Sequence, residues 1–175
     1  MLQLSGSLVG VNVMSLRTGG PVGVTIQPII NPNNLKIEGF YCNDRFSKDR
    51  LILLSQEIRD VIEDGLVVND HEAMSDPEDL VRFKDITALQ FELLGKKVVT
   101  SSRRQLGKIS DYAVETSSMY IQKMYVSQPL TKTLKGGQLS IDRSQIIEIT
   151  DRKIVVQEPT VQVNDARPVA NPATA

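Results

Sequence analysis

The stretch that decides the fold is SQEIRDVIEDGLVV at residues 55–68, because RSQIIEITDRKIVV at residues 143–156 repeats its pattern 88 positions later. In each stretch, two short apolar runs flank a polar turn. That turn is Glu63-Asp64-Gly65 in the first stretch and Asp151-Arg152-Lys153 in the second. Short apolar runs around a tight polar turn are typical of β-hairpins. Each stretch is therefore predicted to form two short strands.

The repeat extends toward the N-terminal side of both stretches. LKIEGFYC at 35–42 matches MYIQKMYV at 119–126 with an offset of 84, and Leu8-Val9-Gly10 matches Leu93-Leu94-Gly95 with an offset of 85. The differences in length fall in turn-like stretches, where chains tolerate insertions. We conclude that the chain contains a duplication, with one copy at about 8–68 and the other at about 93–156.

Each copy is predicted to be a small closed β-barrel, so that the fold is all-β with two barrels in tandem. Several short strands within about 70 residues, separated by turns, favour a barrel over a sandwich. Within 35–42, alternation predicts that Leu35, Ile37 and Tyr41 share one face. The paired glycines Gly10/Gly95 and Gly23/Gly107 are interpreted as bulges or bends that let a tight barrel close.

The copies are separated by an acidic linker with one short helix. Asp76 is the expected N-cap and Pro77 the first helical residue, with Leu80, Phe83 and Ile86 or Thr87 on the face that packs on a barrel. The end of the chain is rich in Pro, Asn and Ala and is expected to be disordered, although Val161 and Val163 alternate as in an edge strand. The predicted organisation is a first barrel at 1–68, a linker at 69–92, a second barrel at 93–157 and a flexible tail at 158–175.

Composition excludes several classes of protein. With 41% hydrophobic and 23% charged residues, the chain is typical of a globular protein and not of a disordered one. No apolar run approaches the roughly 20 residues of a membrane helix, and the N-terminus lacks the features of a signal peptide. The lone cysteine, Cys42, makes no internal disulfide, so a reducing cytoplasm is the expected location.

The charge is distributed unevenly along the chain. The overall net charge is −1, but residues 69–92 carry a net charge of −5 and residues 93–157 one of +6. The candidate binding residues for RNA or an acidic partner are Lys96, Lys97, Arg103, Arg104 and Lys108, and Lys123, Lys132 and Lys135 are expected to add to the same field. The alternative is an ordinary solvated face that the linker acids partly neutralise.

No constellation of catalytic residues accompanies this cluster. His71 is the only histidine and would have to pair with an acid such as Asp70 or Asp76, yet it falls in the linker. Neither zinc spacing nor a calcium loop is present, and no glycine motif for a cofactor is found. Cys42 is interpreted as a buried, inert thiol. We therefore predict no catalytic, metal or cofactor site.

The second copy resembles the PRC-barrel domain in LLGKKVV at 93–99, LGKISD at 106–111, the Ile121 to Val126 segment and the final hairpin. The first copy matches more weakly and has Gln27 where the second has Asp111. The resemblance implies a small β-barrel of the kind found in the cytoplasmic part of the photosynthetic reaction-centre H subunit and in the ribosome-maturation factor RimM. In those settings the domain is an assembly or adaptor module, and it has no shared set of functional residues.

Together these features predict a non-enzymatic cytoplasmic adaptor or scaffold that docks a protein partner, through an exposed strand edge or the linker helix. The alternative is an RNA- or ribosome-associated assembly factor that uses the basic face of the second barrel. No membrane insertion is expected in either case.

Overall fold

A computed structural model describes residues 1–128 and 138–158, and within these ranges the chain is mostly β. The described strands number fourteen and join one hydrogen-bonded sheet, and one short α-helix, α1, spans Lys84–Ala88. The prediction of a β-rich fold with one short helix is thus confirmed. None of the described helices combines the length and the apolar character needed to cross a membrane.

The first half of the sheet contains six strands, which follow the apolar runs of the first copy. Alternation brings Val13, Leu66 and Val68 to full burial on the inner face. A 3₁₀ turn at Ser55–Glu57 leads into the last hairpin. The strands are β2 Asn12–Ser15, β3 Pro21–Asn31, β4 Lys36–Asp44, β5 Arg50–Leu54, β6 Ile58–Ile62 and β7 Gly65–Val68.

The second half repeats these six strands in the same order. The first begins 85 positions after its counterpart, the next two 84 positions after, and the last three 88 positions after, with a 3₁₀ turn at Arg143–Gln145. Val98, Ile154 and Val156 occupy the buried positions of Val13, Leu66 and Val68. The strands are β9 Lys97–Thr100, β10 Gln105–Glu115, β11 Tyr120–Ser127, β12 Gln138–Asp142, β13 Ile146–Ile149 and β14 Lys153–Val156.

Strand pairing follows the same scheme in both halves. β2 lies between antiparallel β3 and parallel β7, and β9 lies between antiparallel β10 and parallel β14. The main path through the sheet runs β13-β14-β9-β10-β11-β4-β3-β2-β7-β6. This path does not return to its first strand, so the sheet is not closed and the two closed barrels remain a prediction.

A bulge in β4 changes which side chains are buried. Ile29 pairs with Gly39 and Ile30 pairs with Ile37, so Glu38 is the extra residue. Beyond the bulge Phe40 is fully buried, whereas Tyr41 is only half-buried. The prediction that Tyr41 shares the buried face of Ile37 is wrong because the extra residue reverses the alternation. The corresponding register shift recurs in β11.

The linker helix is shorter than predicted. The Asp76 side chain accepts a hydrogen bond from the Glu78 backbone N–H at 2.8 Å, but this closes a turn and does not cap a helix. Leu80 has φ −90° and ψ 60°, which interrupts helical geometry before the 3₁₀ turn at Val81–Phe83. The α-helix therefore begins only at Lys84. Earlier in the linker, a 3₁₀ turn at His71–Ala73 precedes the two-residue strand β8, Met74–Ser75, which pairs with β5.

The two halves meet where β4 and β11 begin. The Ile37 backbone N–H donates to the Met119 carbonyl at 2.8 Å, and the Ile121 N–H donates to the Leu35 carbonyl at 2.9 Å. These two bonds are reciprocal, because Ile121 is the repeat counterpart of Ile37 and Met119 is that of Leu35, each 84 positions later. Leu35 and Met119 also share left-handed backbone, with φ 53° and 58°. Buried hydrophobic residues of both halves form one cluster.

The N-terminal strand β1, Leu2–Leu4, pairs antiparallel with β10 and thus with the second half. Apart from Glu158, the predicted tail at 158–175 lies outside the described residues, as do Lys132 and Lys135.

Candidate functional site

Three lysines form a row across three neighbouring strands of the second half. In β9, Lys97 pairs in register with Lys108 of β10 and with Lys153 of β14. Residues directly opposite each other on paired strands point to the same face, about 5 Å apart. All three side chains are exposed. We call Lys97, Lys108 and Lys153 the lysine row.

The alternation of side chains along each strand places the lysine row on the solvent-facing side of the sheet. Val98, Ile109 and Ile154 come directly after the three lysines in sequence, and each is at most 2% exposed. Successive side chains of a strand point to opposite faces. Because these apolar neighbours belong to the core, the lysines are held on the solvent side.

The lysine row has no acidic partner in the part of the chain that the structure describes. No ion pair there involves any of its three members. Glu92 and Asp151 line the adjoining cleft together with Lys97 and Lys108, but neither forms an ion pair with the row. Like charges directly opposite each other on a sheet are destabilising. The row is therefore a concentration of positive charge without an ion-pair partner among the described residues, beside a cleft that two carboxylates also line.

Lys96 borders the row and is fixed in place. Its Nζ donates to the Asp151 carbonyl oxygen at 2.7 Å and lies 4.5 Å from the centre of the Phe91 ring. A cation over an aromatic face is attracted by the ring quadrupole. Lys96 thus joins the β9 end to the β13–β14 turn and contributes further positive charge beside the row.

The structure divides the predicted basic cluster in two. Lys96, Lys97 and Lys108 lie together, whereas Arg103 and Arg104 belong to the turn at the far end of the β9–β10 hairpin. Three residues of strand separate Lys97 from the start of that turn, which is about 10 Å. Arg104 is already paired with Glu158 at 3.1 Å.

Other cations stand in different relations to the row. Lys123, predicted to add to the same field, lies 3.9 Å from Asp142. Lys153 belongs to the row but was not among the predicted residues. The parallel pairing of β14 with β9 brings it there, and this pairing joins segments more than 50 residues apart.

The first half carries no equivalent charge. By the strand offsets, the positions of Lys97, Lys108 and Lys153 correspond to Asn12, Val24 and Gly65, which pair in the same register. The backbone arrangement is the same and the side chains are neutral. The charge is therefore a property of the second half and not of the strand pattern.

Exposed apolar side chains lie beside the row. A cleft of about 410 Å³ is lined by Leu89, Leu94 and Phe91 in addition to Lys97 and Lys108. Leu89 and Leu94 are 52% and 50% exposed. This combination of cations and exposed leucines suits a ligand that has both acidic and apolar groups.

The only histidine is part of a different contact. His71 Nε2 lies 2.7 Å from Asp44 Oδ1, and the Ser47 hydroxyl donates to the other oxygen of Asp44 at 2.7 Å. Ser47 therefore bonds to the carboxylate and not to the imidazole, which differs from a nucleophile–base–acid relay. The partner of His71 is Asp44, 27 residues away, and neither Asp70 nor Asp76 as the sequence suggested.

The surroundings of Asp44 and Cys42 shift the pKa values of these two groups in opposite directions. Desolvation would raise the pKa of Asp44, but hydrogen bonds from Ser47 and His71 outweigh it and hold that pKa below its usual range. Burial raises the pKa of the Cys42 thiol to about 12. Cys42 is fully buried and lacks the thiolate character of a reactive cysteine.

Within the described ranges, no group of three or more His, Cys, Asp or Glu side chains is placed to hold a metal ion. No known protein-family model matches the chain, and no curated protein shows significant sequence similarity to it.

Proposed function

We propose that the protein is a non-enzymatic adaptor of the cytoplasm that docks an acidic segment of a partner protein on the lysine row. The observation that carries this proposal is the register of Lys97, Lys108 and Lys153 on three adjacent strands without an acidic partner among the described residues. The resemblance of the second copy to the PRC-barrel domain, an assembly module, supports the same role.

Repulsion among the lysines of the row favours binding of an acidic partner. Lys97 has a like charge directly opposite it on each neighbouring strand, with Cβ atoms about 5 Å away, and a sheet with neutral residues there would be more stable. An acidic partner would relieve that repulsion and would be steered toward the face before contact. The neutral residues Asn12, Val24 and Gly65 at the same positions of the first half show that the fold itself does not need lysines there.

The apolar side of the site favours protein over RNA. Leu89 and Leu94 are half-exposed beside the row and offer contact area to aliphatic or aromatic side chains. Of the tyrosines, Tyr112 is buried and Tyr120 lies 4.4 Å beneath the Arg143 guanidinium. Single-stranded RNA would gain most from open aromatic faces. The RNA-associated role is therefore kept as the alternative, and the binding test includes an RNA probe to examine it.

The test compares two labelled probes, a peptide of alternating Leu and Glu and a single-stranded RNA oligonucleotide, by fluorescence anisotropy. We expect the peptide to bind and the Lys97→Glu/Lys108→Glu variant to lose at least tenfold in affinity. Arg45→Glu/Lys48→Glu, which changes two exposed cations of the first half, is the matched control and should bind as the parent does.

Arg103→Glu/Arg104→Glu gives a second comparison, because these arginines lie at the far end of the hairpin. We expect a smaller loss than for the lysine variant. Binding of RNA but not peptide, with affinity that falls steeply with salt and depends on the same lysines, would replace the adaptor by the RNA-associated role. Failure of both probes to bind would reject the basic face as a docking surface.

A further inference from the structure

Each half is preceded by a short segment that lies against the other half. Residues 1–7 precede the first copy and contain β1, which pairs with β10 of the second half. Residues 86–92 stand in the same position before the second copy, at an offset of 85, and line a cleft with β3 of the first half. We call these segments the first arm and the second arm. Each arm thus contacts the opposite half, and the second arm also lines the cleft beside the lysine row.

The two arms make different contacts with equivalent strands. In the first arm, Leu2 pairs with Glu115 and Leu4 with Ala113, so the late part of β10 has a strand on this side. The second arm begins in helix α1 and provides no strand. The stretch of β3 equivalent to 113–115 is 29–31, and on this side it has no partner among the described strands.

Where the second half has strand β1 beside β10, the first half has an open cleft beside β3. It has a volume of about 330 Å³, within the range of ligand sites. Ile29 and Ile30 of β3 form one wall, and Ile86 and Thr87 of α1 form the opposite wall. Unpaired backbone N–H and C=O groups at a sheet edge can accept another strand.

We propose that this cleft binds an extended segment of a partner protein, which adds to β3 at residues 29–31 as an antiparallel strand. The first arm is the internal precedent, since it occupies the equivalent edge of β10 in that orientation. Its sequence, Leu2-Gln3-Leu4, also indicates the expected pattern of apolar residues at alternate positions. This site is in the first half and does not depend on the lysine row.

Charge at the cleft favours an acidic residue immediately C-terminal to the added strand. In the antiparallel orientation, the segment would run from Asn31 toward Gln27, as the first arm runs from Glu115 toward Asp111. Gln27 pairs with Tyr41, and the Arg50 guanidinium lies 4.2 Å from the centre of that ring. Arg50 is exposed and forms no ion pair with any described residue.

A carboxylate just after the strand would therefore meet an available guanidinium. Glu92 lines the cleft as well and disfavours acids at other positions. The ligand class is an extended peptide that is apolar at alternate positions and acidic at its C-terminal end.

The experiment uses the full chain and a labelled, N-acetylated peptide of sequence Ser-Leu-Gln-Leu-Asp-Glu, with fluorescence anisotropy as the first measurement. We expect saturable binding and a loss of at least fivefold for Arg50→Glu. Arg45→Glu, an exposed arginine outside the cleft, is the matched control and should leave the affinity unchanged.

A second pair of variants fills the cleft. Thr87→Trp places a large ring in it and should abolish binding, whereas Ala88→Trp, the neighbouring exposed position that does not line the cleft, should not. Thermal unfolding of both variants shows whether each remains folded. If Thr87→Trp does not fold, the Arg50→Glu result and amide hydrogen exchange decide between the outcomes.

Backbone amide hydrogen exchange separates strand addition from simple adhesion of the peptide. We expect added peptide to slow exchange at residues 29–31 and to leave 113–115 unchanged. Absence of binding, equal affinity of the Thr87→Trp and parent proteins, or binding without protection of 29–31 would each overturn the proposal. Because the peptide also carries the acidic and apolar groups proposed for the lysine row, each measurement is repeated in the Lys97→Glu/Lys108→Glu background. Binding that persists there and depends on Arg50 belongs to the cleft, so failure here is distinguishable from failure of the proposed docking on the row.

Discussion

The two halves of the molecule share a backbone scheme but differ in surface. Among the described residues, both have six strands in the same order, a parallel pair formed by the first and last of these strands, and a bulge in the central hairpin. One half presents three lysines at positions where the other has Asn12, Val24 and Gly65. Packing therefore constrains the buried positions to apolar residues in both halves. The outward-facing positions are not constrained in this way and can carry side chains that bind different partners.

The halves also differ at their edges. The first arm completes the edge of β10 as a strand, while the second arm leaves the edge of β3 open. The anchors differ accordingly. In the second half, the Asp111 carboxylate accepts a hydrogen bond from the Ser5 hydroxyl at 2.6 Å, and Glu115 forms an ion pair with the N-terminal ammonium. The first-half counterparts of these acids are Gln27 and Asn31, which lack the negative charge to hold an arm in this way.

The largest expected difference between the halves lies at the paired glycines. A Cβ at Gly107 would lie 2.1 Å from the Ser127 carbonyl oxygen, and its φ of 148° is unfavourable for other residues. At Gly23 the nearest atoms are the Met74 sulfur at 2.9 Å, in a flexible side chain, and the Asn43 carbonyl oxygen at 3.0 Å, the counterpart of the Ser127 oxygen but 0.9 Å farther away. We expect Gly107→Ala to cost about 3 kcal/mol and Gly23→Ala about 1 kcal/mol in urea unfolding. Equal losses would show that the two glycines have the same role.

The next difference is a response to pH that belongs to the first half. Asp44 is hydrogen-bonded and has a lowered pKa, whereas its second-half counterpart is Gln128, which does not titrate. A carboxyl whose pKa is lower in the folded state stabilises the fold above its unfolded pKa of about 4, and this contribution disappears as the pH falls through the folded pKa.

We therefore expect Asp44→Asn to cost about 1 kcal/mol at neutral pH and progressively less below about pH 4. Thermal unfolding between pH 7 and pH 3 measures the difference, with the exposed Asp85→Asn as control. A cost that stays constant over this range would mean that the charge of Asp44 is not what stabilises the fold.

The smallest expected effect tests the lysine row without a partner. Lys97→Asn installs the residue that the first half has at Asn12 and removes the central charge of the row. We expect a gain of about 0.5 kcal/mol in unfolding free energy at low salt, because repulsion is relieved. In 1 M salt the gain should vanish, since the screening length falls to about 3 Å. A loss of stability at low salt would contradict repulsion within the row.

Local sequence patterns predicted the β-rich character and most strand positions. Apolar alternation and polar turns are short-range signals, and the offsets of 84, 85 and 88 in the sequence are also the offsets between the strands. The bulge at Glu38 was missed, because an extra residue leaves no mark on alternation until the partner strand is known. The start of the linker helix was misplaced, since Asp76-Pro77 suits a turn as well as a helix.

The candidate site was predicted only in part for a related reason. Lys96, Lys97 and Lys108 are close in sequence and are joined by one hairpin, so local reasoning grouped them correctly. Arg103 and Arg104 are equally close in sequence, but the hairpin carries them to its far end. Lys153 and the first arm are placed by pairings between distant segments, which one sequence does not reveal.

The reciprocal hydrogen bonds between the halves have a consequence for how such a molecule can change. Ile37 bonds Met119 and Ile121 bonds Leu35 across an approximate two-fold axis, the geometry of a symmetric dimer. Covalent fusion makes this association intramolecular, so it no longer depends on protein concentration. In a homodimer, every substitution is present in both subunits and therefore on both of the equivalent faces. A fused chain can place lysines on one face alone and keep an open edge on the other.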